Sequence, residues 1–519
     1  MPAVPLSRRR FLEVSAAAAL GLSRVGRAAA TTPGVFNRQP YLQRLLADRV
    51  SVLWTAAQPG AGSVVVLAPD GSETAFSAGI TAFQPSTTQM PAVYYQYQAD
   101  ITGLGAGTAY QYQVLLDGQI AASDPVLNSF STPAVGDFSF LAFGDSGTDS
   151  PEQLALVQQM AAETGIAKVL HLGDLAYYAG MFSQFESNYF GPNAPLMSRL
   201  PFFATPGNHD YDTANGAAFL AGHAAPAGNV PAADQGRYYS YDWGDAHFVS
   251  VDSNLLATDA ATRMMNWLAS DLAASGKYWK IVFLHHPPYP TGFHVGDPIC
   301  VMVQQNVIPI LESNGVQLVL SGHEHGYERS FPLVANQPVN AGSPSTTYVI
   351  SGGGGGGLEA VGSLPQCALS VQAFNYLRLD VGEAKLTLKA MGLGGTVIDM
   401  FTLNPPPAIA PNGIVNAANA ASAIGPGSLV TIYGRNLALR PVSAPASQLQ
   451  LGGIAVSVNG QPAQLMYASP SQINLLLPHD ISGHVSVEVT TPNGSASEEI
   501  TVTGGTIRHP EPVGHPAPS

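Results

Sequence analysis

Between residues 31 and 135, apolar and polar positions alternate with a period of two over short runs: "RVSVLWTA", "GSVVVLA", "VYYQYQADI" and "AYQYQVLLDG". Glycine and proline punctuate these runs. The pattern predicts half-buried strands in an antiparallel β-sandwich. From residue 136 the texture changes. "FSFLAF", "AKVLHL", "LPFFAT", "HFVSV", "WKIVFL" and "VQLVL" are continuous apolar runs, as expected of strands buried on both faces. Helix-like segments lie between several of them: "SPEQLALVQQMAAETG", "TDAATRMMNWLASDLAASG" and "MVQQNVIPILESNG". Ser150, Pro151 and Glu152 signal a helix start, and Gly165 a stop. Strands alternating with helices predict an α/β layered domain over 136–404. The Pro-rich stretch at 405–411 is expected to be a linker, and the alternation that resumes over 412–505 a second small β-sandwich. The tail, 506–519, is expected to be disordered.

Composition agrees with this multidomain plan. The chain has 519 residues, 46% of them hydrophobic, enough for several cores. Its 54 glycines, 41 prolines and 11% charged residues suit many turns and short strands. A net charge of −14 disfavours a nucleic-acid or anionic-membrane partner. It leaves phosphate substrates open, because bound metals reverse the local sign. Two cysteines, Cys300 and Cys367, rule out a disulfide scaffold and a Cys-rich zinc site, and leave their pairing open.

The N-terminal "LSRRRFLEVSAAAALGLSRVGRAAATT" resembles a twin-arginine export signal, with Arg8, Arg9, Phe11 and Leu12 in the S-R-R-x-F-L pattern. The apolar segment behind it is short, Ala-rich and interrupted by Glu13, too weak for a membrane span. Residues 1–30 are therefore expected to be a signal peptide of a periplasmic or secreted protein.

The chemistry lies at the strand ends of the middle domain. "FSFLAF" runs into Gly144-Asp145, "AKVLHL" into Gly173-Asp174, and "LPFFATP" into Gly207-Asn208-His209-Asp210. "WKIVFL" runs into His285-His286, and "VQLVLS" into Gly322-His323-Glu324-His325. One such Gly-Asp is usually a turn with a helix cap. Five buried strands that each deliver Asp, Asn or His, at the edge where α/β sheets bind ligands, point to hard or borderline cations held by O and N donors. Nine of the 13 histidines fall between His171 and His325. An H-E-x-x-H zinc helix is excluded, because its second histidine would fall at Tyr327. Alternate residues of an extended segment share a face, so His323 and His325 can both reach the site while Glu324 points away. By the same alternation only one of His285 and His286 can face it.

The series GD…GD…GNHD…H…GHxH resembles that of the metallophosphoesterases, and "GDLAY", "GHEHGYERS" and "YVISGGGGGGLE" resemble segments of the purple acid phosphatases. The resemblance covers roughly residues 36 to 404. It implies two mixed β-sheets flanked by helices. It also implies that Asp145, Asp174, Tyr177 and His325 bind a trivalent iron, and that Asp174, Asn208, His285 and His323 bind a divalent Zn, Mn or Fe ion, with Asp174 bridging. The family's H-x-P spacing fits His285, ahead of Pro287. The implied activity is hydrolysis of phosphate monoesters by a metal-activated hydroxide, with His209 and His294 binding phosphate oxygens or protonating the leaving group. Asp210 stands where the purple enzymes usually have Glu. The N-terminal sandwich resembles a fibronectin type III module, in which Trp54 would fill the core and Tyr110 follow a turn. The C-terminal one resembles an IPT/TIG module. Both sandwiches are immunoglobulin-like and suit positioning or attachment to carbohydrate or cell surface. Two other functions compete: a phosphodiesterase or nucleotide hydrolase on the same site, and a surface-binding protein whose metal site is vestigial. The last would call for a broken ligand set, and no ligand position is substituted.

Overall fold

Phe138–Phe143 carries no alternation in sequence, yet its side chains divide between two cores. Phe140 and Ala142 turn inward, toward Phe248, Ile281, Phe283 and Leu320 of a second sheet. Leu141 and Phe143 turn outward onto Leu156, Val157 and Met160 of the helix Pro151–Ala162. A strand covered on both faces has no polar face to display, which is why the run reads as continuous. The second sheet repeats the arrangement: Val282, Leu284 and Val319 pack beneath Met264, Leu268 and Leu272 of the helix Ala261–Ala274. The result is a helix–sheet–sheet–helix sandwich. Removing a ring from the shared layer, as in Phe283→Ala, is expected to cost about 3–5 kcal/mol.

The computed structural model describes residues 36–124, 126, 128–340 and 342–503. The expected signal peptide, 1–30, and the expected disordered tail, 506–519, lie outside the described residues. The first middle sheet has six strands, in which Phe138–Phe143, Ile166–His171 and Phe202–Ala204 run parallel. Asn375–Val381, Leu386–Gly392 and Val397–Leu403 extend it antiparallel. The second has seven, with Ala246–Val251, Trp279–Leu284, Leu318–Ser321 and Thr347–Ser351 parallel at its centre. Both sheets are mixed, and the parallel strands of both deliver their carboxyl ends to one edge.

Helix boundaries follow local chemistry. The Ser150 hydroxyl accepts from Gln153 N at 3.1 Å and Pro151 fills the first turn, so Pro151–Ala162 starts at its cap. It stops three residues before Gly165. The segment around "MVQQNVIPILESNG" is one helical path from Pro298 to Ser313 whose middle turn, Val303–Val307, is widened to π geometry.

Upstream, a four-stranded and a five-stranded antiparallel sheet pack together, with Trp54 stacked on Tyr97 at 5.1 Å between centroids. The Tyr110 hydroxyl accepts from Gly105 N at 2.8 Å across a turn. Arg38, buried, ties this region to the middle domain through Glu186, 3.1 Å from Nε, and its strand neighbour Tyr41 donates its hydroxyl to Gly222 O at 2.8 Å. Downstream, the strand Ala408–Asn416 begins inside the stretch expected to be a linker. It opens a second pair of antiparallel sheets with a core of its own. That C-terminal module rests on the middle domain: Arg440 grips Asp245 through two nitrogens, and Asn493 Nδ2 donates to Ala384 O at 2.7 Å. Cys300 and Cys367 are both free thiols, so no disulfide links them.

Candidate metal centre

Each candidate ligand leaves a parallel strand through a sharp turn. Asp145 (φ +58°), Asp174 (φ +53°) and His323 (φ +72°) all occupy the left-handed region. For residues with a Cβ this costs of order 1–3 kcal/mol each and persists where the surroundings enforce it. Two glycines make the crowding possible: a Cβ on Gly207 would lie 2.0 Å from Asp174 Oδ1, and one on Gly173 2.4 Å from His285 Nδ1.

The turns bring the side chains from both sheets together. Donor atoms of Asp145, Asp174 and His285 lie within 4.8 Å of one another, and all three residues are buried. His285 Nδ1 donates to Leu172 O at 2.9 Å, which leaves Nε2 as its free face. Around that nitrogen stand Asn208 Oδ1 at 3.0 Å, His323 Nδ1 at 3.2 Å, Asp174 Oδ2 at 3.5 Å and Asp145 Oδ1 at 3.9 Å. His325 Nδ1 donates to Gly357 O at 2.7 Å, so its Nε2 faces the Tyr177 hydroxyl at 2.9 Å and Asp145 Oδ1 at 3.6 Å. Tyr177 also approaches Asp145 Oδ1 at 3.3 Å. All seven expected ligands therefore converge at one sheet edge.

These donors fit cations. Around His285 Nε2 stand two carboxylates and an amide oxygen, an acceptor-rich setting that suits a positive charge. Burial alone pulls the His285 imidazolium down, but the carboxylates of Asp174 and Asp145 outweigh it and hold the group up at about 10. His323 Nε2 is buried without a partner. Burial, then His286 and His285, push its protonation far below the ordinary histidine range, so the ring stays neutral and able to ligate. Burial, reinforced by Asp174 and Asp145, keeps the Tyr177 phenol protonated unless a strongly charged cation stabilises the phenolate.

The remaining expected residues lie around this cluster. His209 N donates to Asp174 Oδ1 at 3.0 Å and its Nδ1 to Tyr178 O at 2.7 Å, leaving Nε2 toward the cluster, 4.0 Å from Asp174 Oδ2. The His294 ring lies against that of His323, centroids 3.7 Å apart. Asp210 faces away from the site: its carboxylate accepts from Leu175, Ala176 and Gly207 amides and so clamps two ligand loops together. Burial and the nearby Asp174 push it up to about 7. His286 is turned onto Ser253 Oγ at 2.7 Å, although its ring still touches that of His323 and it groups with Asp297 and His323.

Sequence reasoning passed over three contributors and left a fourth, Glu324, without a role. The Leu172 and Gly357 carbonyls set the histidine tautomers, and a carbonyl leaves no trace in side-chain pattern. Glu359 accepts from His325 N at 3.2 Å, and Glu324 binds a neighbouring loop. Glu324 carried a signal, an acidic residue between two candidate histidines, whereas Glu359 lies far along the chain from them and carried none. Conversely, three of the nine clustered histidines lie elsewhere: His171 on Ser146, His223 among Phe219 and Tyr189, and His247 between Asp242 and Asp271.

Comparison with known proteins bears on the middle domain and the C-terminal module. Residues 138–327 match the calcineurin-like phosphoesterase family and residues 414–503 the IPT/TIG domain. Human acid phosphatase type 7 is 28% identical over 275 residues, which are 46% of this chain and 60% of that protein. The Arabidopsis thaliana protein named probable inactive purple acid phosphatase 9 is 27% identical over 362 residues, 57% of this chain and 54% of its own. The chain thus spans under two thirds of the length of these relatives. Among solved structures, a purple acid phosphatase from yellow lupin seeds superposes with a TM-score of 0.61 at 21% identity, covering 71% of this chain and 74% of its own. At that identity the likeness is one of fold.

Proposed function

Residues 138–327 being a calcineurin-like metallophosphoesterase domain, in a chain with purple acid phosphatase homologues and a C-terminal IPT/TIG domain, we propose that the protein is an exported acid phosphatase of the purple type. Asp145, Asp174, Tyr177 and His325 would hold a ferric ion. Asp174, Asn208, His285 and His323 would hold Zn, Mn or ferrous iron. The observation that carries the purple assignment is the Tyr177 hydroxyl, 2.9 Å from His325 Nε2 and 3.3 Å from Asp145 Oδ1. When bound, the two cations supply charge for the phosphoryl oxygens and acidify water near neutral pH.

The chain's own groups would do the rest. With Nδ1–H committed to the Tyr178 carbonyl, His209 carries its exchangeable proton at Nε2, where it can reach a phosphate oxygen or the departing alkoxide. His294 would act from the other side of the cluster. Asp174 fixes His209 through its amide, so the proposed bridging ligand also orients a proposed proton donor. The N-terminal sandwich would be a fibronectin type III-like support. The IPT/TIG domain would be an interaction or attachment module, and the twin-arginine-like start would direct export. Among the described residues no helix is long and apolar enough to cross a membrane.

A visible spectrum of the metal-loaded protein tests the assignment. A broad green-to-yellow band that vanishes in Tyr177→Phe is expected; a colourless protein with both sites filled would leave a generic two-metal phosphoesterase. Phosphate release from an aryl monoester should exceed cleavage of the matching diester. The reverse preference would favour the phosphodiesterase, and no turnover of either would favour a vestigial site.

A further inference from the structure

The loop carrying His294 has little apolar packing of its own. The residues on either side of the histidine are solvent-facing, Phe293 at 75% exposure and Val295 at 54%. Such a loop would be mobile unless polar contacts held it. Apart from turn bonds within it, such as Asp297 N to His294 O at 3.0 Å, its backbone at Phe293 and His294 is held by the "GHEHGYER" segment, while Gly362 N donates to the Thr291 hydroxyl at 2.9 Å and Glu359 lies 3.5 Å from His294 Nε2. Glu324 is fully buried, and its two carboxylate oxygens accept the consecutive amides of Phe293 (2.9 Å) and His294 (3.0 Å). Glu328 accepts from Thr291 N at 3.0 Å and from its hydroxyl at 2.6 Å. Gly292 lets the loop approach: a Cβ there would lie 2.6 Å from Glu324 Oε1 and 2.1 Å from Ala360 O.

We infer that Glu324 is a positioning residue, which uses its carboxylate to hold the His294 backbone so that the imidazole lies against His323. A buried carboxyl group is costly unless its oxygens are hydrogen-bonded. Both oxygens here are spent on one dipeptide, the one that ends at His294. The chain path makes the connection direct. Glu324 lies between His323 and His325 in the turn that joins Leu318–Ser321 to Tyr327–Ser330, so the turn that offers two proposed ligands also carries the loop's anchor. Metal cluster and outer histidine are thereby set by one rigid turn, and placement errors of about 1 Å at such groups can cost ~10²-fold in rate.

The inference rests on the proposed role of His294, and a double-mutant cycle separates the two. Glu324→Gln replaces one acceptor by a donor that faces an N–H. It is expected to lower kcat/KM about tenfold in the full chain, yet to cause no further loss in a His294→Ala background. An equal loss in both backgrounds would overturn the inference, since Glu324 would then act through the cluster. His294→Ala with unaltered kcat/KM would overturn the role of His294, and with it any purpose in positioning the residue. Hydrogen exchange of the metal-free protein supplies a readout independent of activity. Glu324→Gln should speed exchange of the Phe293 and His294 amides and leave Leu318–Ser321 unchanged; unaltered exchange at both amides would also overturn the inference. Gly292→Ala, which pushes the loop off the carboxylate without altering any proposed ligand, should reproduce both effects if Glu324→Gln fails to fold.

Discussion

His247 and His285 are both buried histidines lying between two aspartates, and the two regions behave as opposites. At His247 the accounts close: Nδ1 meets Asp242 at 2.8 Å, Nε2 meets Asp271 at 2.8 Å, and the second oxygen of Asp271 accepts from Ser240 at 2.7 Å. Lys277 stands 3.7 Å from Asp242. At His285 they do not. Its free nitrogen faces an amide oxygen, a second imidazole and two carboxylates, and His323 Nε2 has no hydrogen-bond partner, with Asp297 Oδ2 standing off at 4.0 Å. A buried polar cluster that satisfies itself is structural. One that pays for positive-φ ligands and leaves acceptors facing each other is built around something it does not itself supply.

The comparison can be broken most directly by removing one carboxylate from each region. Asp174→Asn is expected to abolish metal loading and, since charge stabilisation by the metals is worth several kcal/mol, to cut phosphate release by ~10³-fold or more. Asp271→Asn should leave metal content and turnover within about twofold, by metal analysis and steady-state kinetics. Parity between the two variants would end the distinction.

Metal removal comes next. A cation that binds only the folded state at a thousand times its Kd adds about 4 kcal/mol. Chelation should therefore lower the Tm of the wild type and of His247→Gln by similar amounts, and leave that of Asp174→Asn nearly unmoved. Calorimetry with and without chelator reads this directly.

The smallest effect concerns pH. Burial lowers the His247 imidazolium, but Asp242 and Asp271 more than compensate, so its folded pKa lies above the unfolded value. Its contribution is then complete below about pH 6.5 and is lost as pH rises through the folded pKa. His247→Gln should cost on the order of 1–2 kcal/mol at pH 6 and less at pH 9, from denaturant midpoints. A cost that is flat with pH would mean the imidazole is held neutral.

Much of this molecule was legible beforehand because its two kinds of strand leave different traces. Alternation marked the sandwiches, and continuous apolar runs marked the double-covered strands, since burial on one face or two is written in residue type. Most candidate ligands were legible because they sit immediately after such a run; Tyr177, three residues past Asp174, came only from the family resemblance. Histidine clustering was a weaker guide: His171, His223 and His247 share the crowded interval, yet His223 and His247 satisfy both ring nitrogens elsewhere and His171 bonds Ser146 through Nε2 while its Nδ1 is buried without a hydrogen-bond partner. Nor could the linker expectation foresee that strand pairing with Leu429–Arg435 begins at Ala408, because a partner distant in sequence decides it.

By itself the amino-acid sequence determined which residue types arrive at the strand ends, since hydrophobic burial and turn chemistry act locally. It also led to the expectation, from an extended segment, that Glu324 points away from His323 and His325, although residues 322–326 form a turn with His323 at φ +72°. Only the tertiary structure decided what Glu324 meets there, and which histidine nitrogen faces the cluster. The Leu172 and Gly357 carbonyls select the tautomers, and the Phe293–His294 amides claim the carboxylate. Those partners are backbone atoms, which every residue carries alike. Their roles come from position in space, and position is set by how two sheets pack.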